Sequence, residues 1–214
     1  MRRLLALVAL VLAVSVGNAQ ATTITFEDQG FVPPPPFNAE PHIGDLTSGG
    51  FFFDLATNIY QLANNSAHVD NGTTYLVVEG EPLSQVTFSQ PGLAPFALIK
   101  LDLAEWQEGN TARTITVTGN KFGGGTTVPI TLVLDGIFNG PGLPLDFQTV
   151  TFGAEWGNLV SVAVRGTGAT SGNLNYFAID NIEVDTAAVP EPGTLSLLGL
   201  GSAYLIRRRQ RNRR

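Results

Sequence analysis

The chain has 214 residues, 43% of them hydrophobic and only 14% charged, enough apolar material for one core once the ends are set aside. It has no cysteine, which excludes disulfides, thiolate metal sites and a cysteine nucleophile. Charge is polarised: Arg2 and Arg3 open the chain, six arginines fill positions 207–214, and the body between holds four basic against seventeen acidic residues, a net −13. Such a body repels polyphosphate, which argues against nucleic acid as a partner and favours metal cations or neutral ligands.

Residues 1–21 read as a secretory signal peptide. Arg2 and Arg3 form the positive start, Leu4 to Val16 is an apolar run of 13 residues, and "NAQA" offers small residues for cleavage after Ala19 or Ala21. An uncleaved membrane helix needs nearer to about 20 apolar residues.

From 22 to 187 short β-like runs alternate with turn clusters. Strands are expected at 22–27, 50–55, 73–78, 84–89, 96–104, 112–119, 128–135, 147–152, 158–166 and 175–184. Thr, Val and Phe are frequent in them, and "TITVT" and "KLDL" alternate with period two. Between them "SGG", "SQPG", "FNGPGLP" and "GTGATSGN" supply positive-φ positions and preset proline angles. "VPPPPFNAE" at 32–40 reads as a stiff polyproline loop that interrupts early pairing. "KFGGGTT" lies between strands and reads as a hairpin loop, not a phosphate cradle. About ten strands without a convincing helix predict an all-β, two-sheet, jelly-roll-like sandwich, with a signal helix before it and a short hydrophobic helix after it.

"ITFED" near the start, "WGNLVSV" at 156–162 and "YFAIDNIEV" near the end resemble the terminal strands of carbohydrate-binding jelly rolls. The resemblance implies glycan binding and a structural Ca²⁺ near the two termini, with Glu27, Asp28 and Asp180 as its ligands. The chemistry is consistent, since Ca²⁺ takes carboxylate and carbonyl oxygens. The alternative is that these three are solvated edge carboxylates.

No catalytic motif stands out. His42 and His68 are the only histidines and lack zinc-protease spacing, and there is no Gly-x-Ser-x-Gly elbow or phosphate-binding loop. Asp102, Glu105 and Glu108 cluster after one strand, and paired carboxylates can hydrolyse glycosides, but acidic pairs are inevitable in so acidic a body. His68 and Asp70 sit in a long polar loop, able to hold a metal or a sugar or simply to be solvated. Trp106, bracketed by acids and polar residues, is a candidate exposed platform for a sugar ring; Trp156, beside an apolar strand, reads as core.

The chain ends on "VPEPGTLSLLGLGSAYLIRRRQRNRR". The apolar run 193–206 has 14 residues including three glycines, short for a stable span, and its arginines would stay on the cytoplasmic side. Pro190, Glu191, Pro192 and Gly193, the apolar run, and Arg207, Arg208 and Arg209 with the rest of the arginine block resemble the PEP-CTERM sorting signal of Gram-negative bacteria. The resemblance implies that residues 188–214 are recognised by a membrane transpeptidase of the exosortase type, held transiently in the cytoplasmic membrane and cut near Pro-Glu-Pro. The body would then pass to the cell surface or the exopolysaccharide matrix. The sequence therefore predicts an exported, non-catalytic surface or matrix protein with a glycan-binding body. A jelly-roll carbohydrate-active enzyme and a purely structural surface protein are the alternatives.

Overall fold

The structure, a computed structural model, describes residues 20–30, 39–57, 59–64, 69, 71–80, 84–106, 112–134, 147–168 and 175–186. The segment read as a signal peptide, but for its last two residues, the polyproline run and residues 187–214 lie outside the described residues.

Alternation of side chains builds two sheets. In β4 (Phe51–Leu55) Phe51, Phe53 and Leu55 are buried, while Phe52 and Asp54 are exposed. In β7 (Ser84–Ser89) and β9 (Thr114–Lys121) the same period buries Val86, Phe88, Ile115 and Val117 and turns Thr87, Thr116 and Thr118 outward. These strands join β12 (Leu159–Thr167), β10 (Ile130–Val133) and β3 (Leu46–Ser48) in one sheet, in the order β10-β9-β12-β7-β4-β3. Every pairing in that sheet is antiparallel.

The second sheet runs β11-β8-β13-β6-β5-β2, with β1 (Gln20–Ile24) also paired to β13. Its strands are β11 (Gln148–Thr151), β8 (Ala97–Glu105), β13 (Phe177–Thr186), β6 (Tyr75–Val78), β5 (Ile59–Ala63) and β2 (Ala39–Ile43). From β6 to β9 the chain crosses between sheets at each step, and β11, β12 and β13 alternate again. The result is the expected all-β, jelly-roll-like sandwich. Among the described residues helix is confined to 3₁₀ turns at Glu27–Gln29, Pro91–Leu93 and Ala154–Trp156. None is long and apolar enough to cross a membrane.

The core between the sheets is aromatic. Phe53 packs against Phe26 and Phe88 with ring centroids 5.2 and 5.5 Å apart, and Phe51 meets Phe96 edge-on at 5.0 Å. Trp156 is buried against Phe152 at 4.5 Å, as its apolar context predicts. Burying each such side chain contributes about 1.5–3 kcal/mol. Gly119 is required by this packing: a Cβ there would lie 2.8 Å from Leu159 Cδ2. The glycine run at 123–125 makes a hairpin loop, with Lys121 N–H donating to the Gly125 carbonyl at 2.9 Å.

Strands β2, β3 and β5 were not among those expected from the sequence, and β6 starts later than expected. β2 begins inside the segment read as a stiff loop and carries Pro41 opposite Gln61 of β5. Proline lacks a ladder donor but is tolerated on an edge strand, and β2 ends its sheet. β3 has only three residues. The strand expected from 73 begins at Tyr75, because Asn71 Oδ1 accepts from Thr73 N–H (3.1 Å) and Thr73 Oγ1 (2.8 Å) and holds a turn there.

Candidate functional site

On β13 and β8, Asp180 lies directly opposite Asp102. A bulge follows Asp180, where the ladder shifts register and Asn181 takes φ 48°, a left-handed conformation that asparagine tolerates better than most residues. The bulge lets Asn181 Nδ2 donate to Asp102 Oδ2 at 2.9 Å, and Thr149 Oγ1 on β11 donates to Asp102 Oδ1 at 2.6 Å. Asp180 Oδ2 accepts from Asn71 Nδ2 (2.6 Å) and Thr73 Oγ1 (2.7 Å). Asp180 is fully buried, and its Oδ1 has no hydrogen-bond partner. Burial pushes its carboxyl up to about 6; the bonds from Thr73, Asn71 and the Asn181 backbone pull the other way, and the Asp102 charge adds to the rise.

Glu27 and Asp28 open a 3₁₀ turn after β1. Glu27 accepts from Thr74 N–H (2.6 Å) and Thr74 Oγ1 (3.1 Å), so Glu27 and Asp180 grip the same Asn71–Thr74 segment. Asp28 grips another. It accepts from Ser48 Oγ at 2.6 Å and Gly49 N–H at 2.8 Å, in the turn between β3 and β4. Burial acts to raise its pKa, but the bonds from Ser48, Gln29 and Gly49 prevail and hold it below the ordinary value. Among the described residues no three His, Asp or Glu side chains converge as a metal cluster. The orphaned Asp180 Oδ1 is the atom that fits a hard cation; Glu27 and Asp28 spend their oxygens on the chain.

Trp106 is not the exposed platform that its polar neighbours imply. It is 4% exposed, at the end of β8, edge-on to Tyr75 with centroids 6.1 Å apart. Tyr75 in turn meets Phe147 at 5.3 Å and donates its hydroxyl to the Val69 carbonyl at 2.5 Å. With Ala63, Val77, Ala104 and Ala178 they form a second small core on the outer face of the β8–β13–β6 sheet. The polar neighbours mislead because Glu105 is itself buried, and by strand alternation it faces away from Asp102. Glu108, His68 and Asp70 lie outside the described residues, although Val69, between the last two, is buried in this second core.

The outer face of the other sheet is different. Its register aligns Asn120, Ser161, Ser89, Phe52 and Thr47 in one row across five strands. The next row is Thr118, Ala163, Thr87 and Asp54, and the next is Thr131, Thr116, Arg165 and Gln85. Val133, Thr114 and Thr167 make the last. None of these side chains is buried, and only Arg165 and Asp54 are charged. Sequence reasoning noted the period-two threonines of β9 but could not align them with β7 and β12, whose pairing is non-local.

Residues 188–210 match the PEP-CTERM protein-sorting motif. The chain ends in an exosortase sorting signal. Pro190, Glu191, Pro192, Gly193 and Arg207–Arg209 all fall within the PEP-CTERM match. The motif implies export and processing by an exosortase. No curated protein matches the chain.

Among solved structures the body is similar to a DUF4465 family protein from Bacteroides caccae, at 14% identity and TM-score 0.47, over 77% of this chain and 98% of that one. It is also similar to the K2 cleaved adhesin domain of Lys-gingipain, at 17% identity and TM-score 0.33, over 77% and 97% of the two chains. The K3 cleaved adhesin domain of Lys-gingipain from Porphyromonas gingivalis matches at 12% identity and TM-score 0.30, over 77% and 98%.

Proposed function

We propose that this PEP-CTERM protein is a non-catalytic component of the cell surface or exopolysaccharide matrix, with a glycan-binding β-sandwich. In this reading it is exported, anchored in the cytoplasmic membrane by its apolar tail, then cut by an exosortase near Pro190–Pro192 and released to its destination. The observation that carries the reading is the sorting motif at 188–210, directly after a body with its own core. A structural Ca²⁺ at Asp180 belongs to the same proposal: the residues to hold it are Asp180 and the Asn71–Thr74 segment, with Glu27 beside them.

The rival reading, a carbohydrate-active enzyme, draws on the opposed Asp102 and Asp180 and on an Asp180 carboxyl displaced to about 6, where an acid can donate a proton. Asp180 has no exposed surface to offer a substrate, which favours the non-catalytic reading.

The test is the mass of the native protein and its cell fraction, in cells with and without the exosortase. We expect a mature chain lacking the tail beyond the Pro-Glu-Pro region, found at the surface or in the matrix. Without the exosortase, a full-length C-terminus should stay in the membrane. An intact tail in both strains overturns the proposal and makes the segment a plain anchor.

A further inference from the structure

We propose that the open face of the β10-β9-β12-β7 sheet binds a linear polysaccharide bearing carboxylate groups, with Arg165 as its anionic contact. The body's acidity argues against an anionic partner only if the acids are spread evenly, and they are not. β7, β9, β10 and β12 are four adjacent strands without one acidic residue, and their only charges are Lys121 and Arg165. The acidic side chains of the strands gather on the other sheet, at Asp102 and Glu105 of β8 and Asp180, Glu183 and Asp185 of β13. There Lys100 is neutralised by Glu183 at 3.0 Å. Long-range repulsion from that side is screened beyond about 8 Å at physiological salt.

Arg165 is exposed, makes no ion pair among the described residues, and stands between Thr116 and Gln85. Lys121 is already spent: its amino group donates to the carbonyls of Glu155 and Gly157. Asp54, the one acid of the face, is on β4, two strands from β12. A guanidinium set among hydroxyls and an amide suits a planar carboxylate, which it can bind through two parallel hydrogen bonds. Along β9 the hydroxyls of Thr114, Thr116 and Thr118 repeat about every 6.8 Å beside Arg165, a row with which a chain of sugar hydroxyls can exchange hydrogen bonds. Phe52, 41% exposed at the edge of the face, adds an apolar surface for a ring. An ordinary soluble surface is about 25–35% charged, and this face falls well short of that.

The proposal deepens the matrix reading and rests on it for delivery. The two fail separately, because delivery is read from the mature mass and binding from affinity. The experiment is affinity electrophoresis of the full chain in mild detergent through gels containing polygalacturonate or uncharged dextran. Retardation by polygalacturonate and not by dextran is expected, weakening as salt is raised to about 0.5 M. Arg165→Gln should weaken it about tenfold or more, the loss of one charge-assisted pair. Thr116→Val/Thr118→Val should weaken it with the fold intact, and Lys100→Gln on the other sheet should leave it unchanged. Retardation that survives Arg165→Gln overturns the assignment to this face while keeping the glycan reading. No retardation, equal retardation by dextran, or a dimer in sedimentation that Arg165→Gln dissolves overturns the proposal itself.

Discussion

The outer faces of the two sheets have opposite characters, though both belong to one sandwich. Over β8, β13 and β6 the face is roofed by Trp106, Tyr75 and Phe147 and holds the buried, displaced carboxyl of Asp180. Over β9, β12 and β7 it is bare, half exposed and built of hydroxyls. One face takes part in folding and the other is left to water or a ligand. Substitutions on the roofed face should therefore change stability, and those on the open face should not.

The largest expected effect is at Trp106. Trp106→Ala removes a buried indole from the second core and leaves a cavity beside Tyr75, so it should cost about 3–5 kcal/mol, read from the urea unfolding midpoint. A change within about 0.5 kcal/mol would mean that the ring is exposed in solution and would restore it as a sugar platform.

Trp106 also marks where sequence reading stops. The inner core was legible, because Phe51, Phe53, Val86, Phe88, Ile115 and Val117 alternate with polar residues and period two names the buried side. The second core was not. Tyr75 and Val77 are buried as fully as Leu76 and Val78, so β6 shows no alternation, and its neighbours come from distant segments. β2 and β5 were hidden by Pro41 and by short, irregular patterns that only their mutual pairing explains. At the carboxylate corner, Asp180 and Glu27 were legible as residues from the terminal strands. Their shared grip on Asn71–Thr74 was not, because it depends on an Asx turn closing over sequence separations of 109 and 47.

Asp180 gives the next effect, and its sign is fixed. Its carboxyl titrates near 6 when folded and near 3.8 when unfolded, so between those values the folded protein holds the extra proton. The stability from this group is fully present below about pH 4 and is lost as pH rises through about 6, amounting to at most about 3 kcal/mol. In excess chelator, the urea midpoint of the native chain relative to Asp180→Asn should therefore fall between pH 4 and pH 7. Calcium added at neutral pH should raise the native midpoint and leave Asp180→Asn unmoved, because the ion favours the ionised carboxylate. A difference that is flat with pH and unmoved by calcium would mean that Asp180 stays ionised on the bonds from Asn71, Thr73 and the Asn181 backbone.

The smallest effect is the one that makes the comparison sharp. Thr116 and Thr118 are half exposed in β9, opposite Arg165 and Ala163, on a face where no side chain is buried. Thr116→Val/Thr118→Val keeps the β-branched shape and the strand preference and deletes only two hydroxyls that water can satisfy. Its unfolding midpoint should stay within about 0.5 kcal/mol of the native chain, about a tenth of the Trp106→Ala loss. A loss above about 1 kcal/mol would mean that those hydroxyls are bonded within the fold and that the face is not open. If stability holds, any change in polysaccharide retention by the same double variant comes from the missing hydroxyls and not from unfolding.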